Sequence, residues 1–538
     1  MNPLKSRNSP RLVPPRNALA LLLALSAAAF AAACSGGGSV PTPPPPTGGF
    51  SAANLKGQYA FSMSGQDGAS GSFFARIGSF TADGNGNITA GIEDVNTALN
   101  GPQTLAFSSS TYSVQADGRG ILNLVNETGQ LSFSITLISP TQGLVAETDL
   151  SATASGTFFL QDPTTFTTAG FNGNYVFDVS GLDPAGAPDS IVGQMASNGS
   201  GSIASGLLDE NDNAVASGPQ PFTSGSYQMD ATNGPTSGRG LLGFIANGIT
   251  YNYVFYIVSG SRIRMMESGS TALTVGDAYS QSSVPTSNST FNGSFVMLTS
   301  GSGTSGPLTR IARFSADGNG GLNNVYAETN DAGTVAQVPK GSLSATTYAI
   351  DPNFPGSGRG TLTFTDSSLG TFSFVYYLSS ASGGVIQDVS KNNVDDGNLQ
   401  MQVGGPFNLT GLAGDYAANF SGVSSNTATG ATGEEDYVGH LNFANSSSNG
   451  NVSGTLDFSE FSSNQGAFFN IVVSGNGLTV GGDGTTSSGM RNALQLKLNT
   501  APASTLNFVP YIVDSQHLWV AGNDTNRVIS GTVTQQAP

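Results

Sequence analysis

A hairpin-like stretch that recurs along the chain constrains the fold of this protein more than any other feature. Residues 80–96 read FTADGNGNITAGIEDVN, the pattern of a strand, a glycine-asparagine turn and a second strand. Related stretches lie at residues 195–211 and 314–330, and a more divergent one lies at residues 443–460. A hairpin that returns at a regular spacing predicts that one small β-domain has been duplicated.

The composition favours β-domains and excludes several classes of protein. Glycine accounts for 72 of the 538 residues, and charged residues make up only 10%. Short runs rich in Val, Ile, Phe and Tyr alternate with Gly, Ser, Thr and Asn, which favours many short strands joined by tight turns. A chain of this length exceeds what one hydrophobic core usually organises, so we expect several domains. The net charge of −17 disfavours nucleic acid as a partner.

Further motifs keep the same register in the repeats. The first strand of each copy has a glycine two residues before an aromatic residue, and a second glycine eight residues on: Gly57 and Gly65, Gly173 and Gly181, Gly293 and Gly301, Gly414 and Gly422. A Gly-Arg-Gly motif follows at equal spacing in three copies, around Arg119, Arg239 and Arg359. The fourth copy has only Arg491 nearby. Each copy ends with a glycine and, five residues later, a glutamine: Gly156 and Gln161, Gly276 and Gln281, Gly397 and Gln402, Gly531 and Gln536.

These patterns predict an all-β protein of four tandem antiparallel domains. We count about eight strands in a copy, and an even-numbered meander can close on itself and remove its edges. Each domain is therefore expected to be an eight-stranded up-and-down barrel, with a Greek-key β-sandwich as the alternative. The Gly-x-aromatic first strand and the short last strand resemble lipocalin-like and avidin-like (calycin-like) barrels. The predicted repeats are residues 51–165, 166–285, 286–403 and 404–538.

The N-terminal residues have the pattern of an export signal. Residues 1–16 are basic, residues 18–33 form an apolar run that ends in small residues, and Cys34, the only cysteine, follows directly. The segment Ala-Ala-Ala-Cys34 resembles the lipobox of bacterial lipoproteins. That resemblance implies a signal peptide at residues 1–33, a lipid on the Cys34 thiol, and export to the outer membrane or cell surface. Residues 34–50 are rich in Gly, Ser and Pro and are predicted to form a tether.

The whole chain resembles uncharacterised repeat lipoproteins of the acidobacterial type. We expect a lipid-anchored envelope protein whose β-domains serve in binding, adhesion or structural spacing. The partners expected are a membrane, through the anchor, and a polysaccharide or another envelope component. An alternative is a carrier that holds small apolar ligands inside the barrels. A less favoured alternative is a hydrolase confined to the fourth repeat.

The residues that could form sites have structural explanations. Asp83 and the glycines and asparagines after it alternate as calcium ligands do, but the same residues suit a tight turn, and the oxygen side chains are not kept between repeats. Arg119, Arg239 and Arg359 are expected at a barrel end, where they either pair with Glu147, Glu267 and Asp388 or contact a ligand carboxylate. His440 and His517 are the only histidines and lack metal-ligand spacing. We therefore expect no catalytic residues, no cofactor, no metal and no enzymatic activity.

Overall fold

The computed structural model describes residues 49–538, apart from residues 150, 270–271, 339–342, 368, 426–431, 446–449, 462–465, 476, 481–485, 488–489 and 501–503. The described residues belong to one compact unit. They form four large antiparallel sheets, one for each repeat, which we call barrels 1 to 4, and one additional two-stranded sheet. Short helical turns precede each sheet, at Ala52–Asn54, Pro163–Thr165, Thr168–Gly170, Asn288–Thr290 and Thr410–Leu412, and one further turn, Gly234–Ser237, lies within the second sheet.

Barrel 1 contains nine strands. They are β1 (Lys56–Asp67), β2 (Phe73–Asp83), β3 (Asn87–Thr97), β4 (Gly101–Ala106), β5 (Ser110–Val114), β6 (Arg119–Asn126), β7 (Gly129–Ser139), β8 (Gln142–Glu147) and β9 (Ala152–Leu160). The sheet order is β2-β1-β9-β8-β7-β6-β5-β3-β4, and a further pairing between β2 and β3 joins the sheet to itself.

Barrel 2 is closed and has eight strands in sequential order. They are β10 (Asn172–Leu182), β11 (Pro188–Asn198), β12 (Ile203–Asp212), β13 (Val215–Met229), β14 (Arg239–Ala246), β15 (Ile249–Ser259), β16 (Arg262–Glu267) and β17 (Leu273–Ser280). The first and last strands pair from Tyr175 opposite Ser280 to Leu182 opposite Leu273. This order is that of an up-and-down barrel.

Barrel 3 is a nine-stranded sheet in the order β21-β20-β19-β18-β26-β25-β24-β23-β22. Its strands are β18 (Asn292–Ser302), β19 (Pro307–Asp317), β20 (Leu322–Asp331), β21 (Thr334–Val338), β22 (Leu343–Ile350), β23 (Arg359–Asp366), β24 (Gly370–Ser380), β25 (Gly383–Asp388) and β26 (Val394–Met401). Among the described residues, the isolated bridge between Gly321 and Thr347 spans its open side.

Barrel 4 is closed and has eight strands. They are β27 (Gly414–Ser425), β28 (Thr432–Phe443), β29 (Val452–Glu460), β30 (Gly466–Gly475), β33 (Leu494–Leu498), β34 (Ser504–Asp514), β35 (His517–Gly522) and β36 (Arg527–Gln535). A separate two-stranded sheet is formed by β31 (Thr486–Ser487) and β32 (Met490–Arg491).

The predicted all-β barrel architecture is confirmed, and the strand count differs from the prediction in two repeats. In barrel 2 the strand β13 runs unbroken for 15 residues. In barrel 1 the corresponding chain is interrupted between β4 and β5, and in barrel 3 it is interrupted between β21 and β22. One predicted strand is thereby divided into two, which gives nine strands instead of eight.

Side chains fill the interiors of the barrels. In β1, Tyr59, Phe61 and Met63 are buried in the core of barrel 1, whereas Ser62 between them is partly exposed, as the two-residue period of a strand requires. The rings of Tyr59, Phe80 and Phe158 contact one another with centroids 5.5–5.8 Å apart. Similar clusters fill barrels 2, 3 and 4. A space of about 20 Å³ lies between core side chains of barrel 3, enough for one water molecule.

Candidate functional site at the centre of a four-barrel ring

A polar residue near the end of each hairpin repeat, an asparagine in three of the four, contacts the next barrel. Asn96 donates hydrogen bonds to the main-chain carbonyls of Glu267 (2.9 Å) and Ala272 (3.0 Å) in barrel 2. Asn211 of barrel 2 does the same in barrel 3, and Asn330 of barrel 3 does the same in barrel 4. In barrel 4 the corresponding residue is Ser459, and its hydroxyl donates to the carbonyl of Glu147 in barrel 1 (2.9 Å). The fourth contact therefore returns to the first barrel.

The terminal glutamine of each repeat makes a second series of the same kind. Its Nε2 donates to main-chain carbonyls of the next barrel: Gln161 to Ser237 and Ile257, Gln281 to Ser357 and Leu378, Gln402 to Ile512, and Gln536 to Asp117 and Leu137. Barrel 1 thus contacts barrel 2, barrel 2 contacts barrel 3, barrel 3 contacts barrel 4, and barrel 4 contacts barrel 1. The four barrels form a closed ring, and we call each contact between neighbours a seam.

Apolar side chains pack across all four seams. Ile77 and Ile92 of barrel 1 lie in one cluster with Val254 and Tyr256 of barrel 2. The other seams hold equivalent clusters, which contain Val192 and Tyr377, Ile311 and Tyr511, and Val438 and Ala146, respectively. Because buried apolar area stabilises association whatever its position along the chain, the seam between barrels 4 and 1 is of the same kind as those between consecutive barrels.

The three predicted arginines lie in these seams, and their partners differ from the predicted ones. Arg239 forms a two-pronged ion pair with Asp94 of barrel 1, with both nitrogen–oxygen distances at 2.8 Å. Arg359 forms the same pair with Asp209 of barrel 2, at 2.7 and 2.8 Å. Arg119 faces barrel 4, where its Nη1 lies 2.9 Å from Asn470 Oδ1 and 3.6 Å from Asp457 Oδ1.

The predicted partners of these arginines are engaged elsewhere. Glu147 lies 3.6 Å from Arg76, Asp388 pairs with Arg310, and Glu267 accepts a hydrogen bond from Thr274. Burial lowers the pKa of the Arg359 guanidinium, but its hydrogen bonds to Asp209 and Asp351 and its attraction to Asp209 and Tyr377 together raise the pKa above its usual value. The expected pairing with Glu147, Glu267 and Asp388 was therefore wrong. Each arginine instead joins two neighbouring barrels, and it also pairs with an aspartate of its own repeat: Asp117, Asp230 or Asp351. The side chain of Arg491 lies outside the described residues.

The repeated glycines allow the first and last strands of each barrel to approach closely. A Cβ atom on Gly181 in β10 would overlap the carbonyl of Leu273 in β17, and one on Gly276 in β17 would overlap the carbonyl of Asp178 in β10. The corresponding glycine pairs of the other barrels make the same contacts. These closely paired strands form the inner wall of the ring.

A cavity of about 530 Å³ lies where the inner walls of the four barrels meet. Each barrel contributes the serine that precedes the second glycine of its first strand: Ser64, Ser180, Ser300 and Ser421. Three carboxylates from different barrels also line it: Asp189, Asp396 and Glu434. The cavity is the place to which all four repeats contribute side chains, and we take it as the candidate functional site.

The remaining predicted residues have local roles or lie outside the described part of the chain. Cys34, the predicted lipidation site, lies outside it. The Oδ1 atom of Asp83 accepts hydrogen bonds from the main-chain N–H groups of Asn85 (2.6 Å) and Asn87 (3.1 Å), so this carboxylate stabilises the hairpin turn. His440 is buried beside Asp415 (2.9 Å), and His517 pairs with Asp514 (2.8 Å) near the surface.

The described residues contain neither a cluster of metal ligands nor a membrane-spanning helix. No group of three or more His, Cys, Asp or Glu residues in this part of the chain is arranged to hold a metal ion. None of the helices there is long and apolar enough to cross a membrane.

The residues that join the barrels recur at equivalent positions of the repeats, and this recurrence could have identified them from the sequence. A glutamine recurs at the end of all four repeats, and an asparagine recurs at the end of the hairpin in three of them. Such recurrence indicates a bond that every repeat makes. The carboxylates Asp94 and Asp209 also occupy equivalent positions, opposite Ile77 and Val192 in the β2–β3 and β11–β12 pairs.

Comparisons with known proteins give only weak structural likenesses. No family model matches the sequence, and no curated protein matches it. A double mutant of Transferrin Binding Protein B from Haemophilus parasuis Hp5 is similar over 74% of this chain and 84% of that one, with 9% identity and a TM-score of 0.20. Isotype 1 Transferrin binding protein B from serogroup B Neisseria meningitidis is similar over 75% and 82%, with 10% identity and a TM-score of 0.19. This likeness says nothing about the ligand of the present chain.

Proposed function

We propose that this protein is an exported, lipid-anchored binding protein of the cell envelope whose four barrels act as one unit. The observation that carries the proposal is the ring, which closes where Gln536 of barrel 4 donates to the carbonyls of Asp117 and Leu137 in barrel 1. A ring does not lengthen the reach of the chain as a linear array does, so spacing is the less favoured function. The proposed domain limits are those of the repeats, residues 51–165, 166–285, 286–403 and 404–538.

Ligands are proposed to bind between barrels and not inside them. The aromatic cores occupy the barrel interiors, and the space in barrel 3 has room for about one water molecule. A carrier of apolar ligands needs a far larger internal space, so the carrier alternative loses its basis. The hydrolase alternative gains no support from the candidate site. His440 is buried, and neither His440 nor His517 is among the described residues that line the central cavity.

The anchor is proposed to be the lipidated thiol of Cys34, with residues 1–33 removed as a signal peptide. The proline-rich part of the tether would extend about 3.1 Å per residue and hold the ring away from an outer membrane or cell surface. The tether joins the ring beside the seam between barrels 4 and 1. There the N–H of Phe50 donates to the carbonyl of Ala116 (3.0 Å).

The anchor can be tested by metabolic labelling with radioactive palmitate. We expect the wild-type protein to incorporate label and to fractionate with membranes, and the Cys34→Ala variant to do neither. A Ser35→Ala variant is the matched control and should behave as the wild type. Equal labelling of the Cys34→Ala variant and the wild type would refute the anchor.

The partner proposed is a polysaccharide or another component of the envelope. The soluble ring, produced without residues 1–33, should bind envelope polysaccharides on a glycan array. An array without signal for any glycan would remove the carbohydrate version of the proposal. It would leave the anchor, which is tested separately by the labelling.

A further inference from the structure

The walls of the central cavity combine apolar surface with negative charge. Among the described residues that line it, the only charged side chains are Asp189 of barrel 2, Asp396 of barrel 3 and Glu434 of barrel 4. The remaining lining is mostly Ser, Gly, Val, Leu and Pro, including Leu308 and Val528. A ligand that fits this lining has an aliphatic part and more than one positive charge.

The carboxyl groups at this cavity lie in surroundings that oppose their ionisation. Burial, together with the nearby Asp395, raises the pKa of Asp396 to about 7. Burial also raises the pKa of Glu434 well above its usual value, and Asp436 adds to the effect. Both carboxyls would gain free energy from a cation placed in the cavity, because a positive charge favours their ionised forms.

A buried carboxyl group, that of Asp436, lies beside the cavity. Asp436 lies opposite Ser421 in the β27–β28 pair, so both side chains leave the face of the sheet that borders the cavity. Asp436 is 0% exposed, and its Oδ2 accepts a hydrogen bond from Thr153 (2.7 Å). Its Oδ1 has no hydrogen bond of normal geometry among the described residues, although Ser155, Ser421 and Glu434 lie close to this carboxyl group. An amino group in the cavity would give this oxygen a direct donor.

We propose that the central cavity binds a small organic cation that carries two or more amino groups on an aliphatic chain. The ammonium groups face Asp396 and Glu434, and the methylene groups lie against the apolar wall. The inference rests on the proposed function in one respect, that ligands bind between the barrels. It adds the chemical class of one ligand, and it holds whether or not a polysaccharide also binds elsewhere on the ring.

The size and layout of the site favour such a cation over a bare metal ion. A directly coordinated divalent ion needs several oxygen ligands, each roughly 2.0–2.6 Å from the ion. The described residues contain no group of three acidic or histidine side chains arranged in that way. The three carboxylates instead come from three barrels around a cavity of about 530 Å³. A linear diamine or triamine can span such a space.

Calorimetric titration of the soluble ring with putrescine and spermidine tests the inference. At pH 8, above the pKa of Asp396, we expect saturable binding of one amine per ring. The variants Asp396→Asn and Glu434→Gln should each weaken it about tenfold to a hundredfold, since each removes one charged acceptor. Glu127→Gln is the matched control, because it removes the same charge from an exposed residue, and its affinity should equal that of the wild type.

Three outcomes would overturn the inference. They are no saturable binding of either amine at millimolar concentration, equal affinity in all four proteins, and binding of calcium without binding of the amines. Butanediol, which has the aliphatic chain of putrescine without its charges, should not bind to the wild type. The comparison of butanediol with putrescine uses only the wild-type protein. It therefore tests the role of charge even if Asp396→Asn or Glu434→Gln fails to fold. A negative result here together with a positive glycan array would leave the proposed function in place.

Discussion

Gln536 Nε2 donates a 3.0 Å hydrogen bond to the main-chain carbonyl of Asp117, which lies 419 residues earlier in the chain. The same bond type joins Gln161, Gln281 and Gln402 to the barrels that follow them. Each glutamine bonds to the barrel that follows its own. No barrel follows barrel 4, so Gln536 can make this bond only to barrel 1. The four repeats therefore form one cyclic unit, in which every barrel has two neighbours.

The first prediction concerns the closing seam. The Gln536→Ala variant loses the donors to both Asp117 and Leu137, and leaving these carbonyls without a donor should cost the seam about 1–3 kcal/mol. Hydrogen exchange should accelerate at the amide of Ala537, which bonds to Ile138 across the seam (2.8 Å). Gln535→Ala is the control, and exchange there should be unchanged. Identical exchange in the two variants would show that the side chain of Gln536 does not hold the seam.

The second prediction concerns the ion pair between Arg359 and Asp209. Their side chains are 11% and 5% exposed, so removal of the arginine leaves the Asp209 carboxylate nearly buried. Among the described residues, the Tyr377 hydroxyl then remains as its side-chain hydrogen-bond donor. We expect Arg359→Met to destabilise the protein by about 3–5 kcal/mol, as the loss of one member of a buried pair does. Urea unfolding followed by circular dichroism measures this change.

Two further variants test the cause of that loss. Arg359→Lys keeps the charge but cannot form the two-pronged contact with Asp209, so its unfolding midpoint should lie between those of Arg359→Met and the wild type. Lys391→Met removes a positive charge from an exposed residue and should leave the midpoint unchanged. If Arg359→Met unfolds at the same urea concentration as Lys391→Met, the pair contributes nothing to the seam.

The barrels could be predicted from the sequence because their determinants are local. Alternation in Tyr59, Phe61 and Met63 places these residues in the core, and Gly84 and Gly86 have the positive φ angles that the predicted turn requires. Each of these features depends on residues a few positions apart. They recur in every repeat, so each copy supports the interpretation of the others.

The ring could not be predicted from the same repeats, because duplication makes two partners equivalent. Arg239 could form an ion pair with Glu267 of its own repeat or with Asp94 of the preceding repeat. Nothing in the sequence distinguishes these two partners. The structure selects Asp94, since Arg239 and Tyr256 lie opposite each other in the β14–β15 pair and both contact that carboxylate. The central cavity follows from this arrangement, so it was also beyond prediction.

The third prediction is that stability falls as the pH rises from 5 to 8. Burial raises the pKa of Asp396 to about 7 and that of Asp436 to about 6, from a usual value of 3.8. Since the folded state binds these protons more tightly than the unfolded state, their contribution is complete below about pH 4 and is lost as the pH rises through 6 and 7.

Thermal unfolding at fixed ionic strength measures that dependence. The variants Asp396→Asn and Asp436→Asn carry amides that do not titrate, so each should show a smaller fall in Tm between pH 5 and pH 8 than the wild type. Asp83→Asn is the control, because Asp83 lies in an exposed turn and its pKa is lowered by hydrogen bonds from Asn87 and Asn85. It should keep the full fall of the wild type. A Tm that rises from pH 5 to pH 8 in the wild type would contradict the prediction.

The fourth prediction concerns the glycines that bring the first and last strands together. A Cβ on Gly276 would overlap the main-chain carbonyl of Asp178, and a carbonyl held in a sheet cannot move aside as a flexible side chain can. Gly276→Ala should therefore cost at least about 1–3 kcal/mol, as overpacking does. Gly260→Ala is the control, because the nearest atom to its Cβ is 4.0 Å away.

Since β10 and β17 line the central cavity, a Gly276→Ala ring that still folds should also bind spermidine more weakly than a Gly260→Ala ring. Equal stability of the two variants would mean that the strands have room to separate, and the close approach would then not explain why these glycines recur.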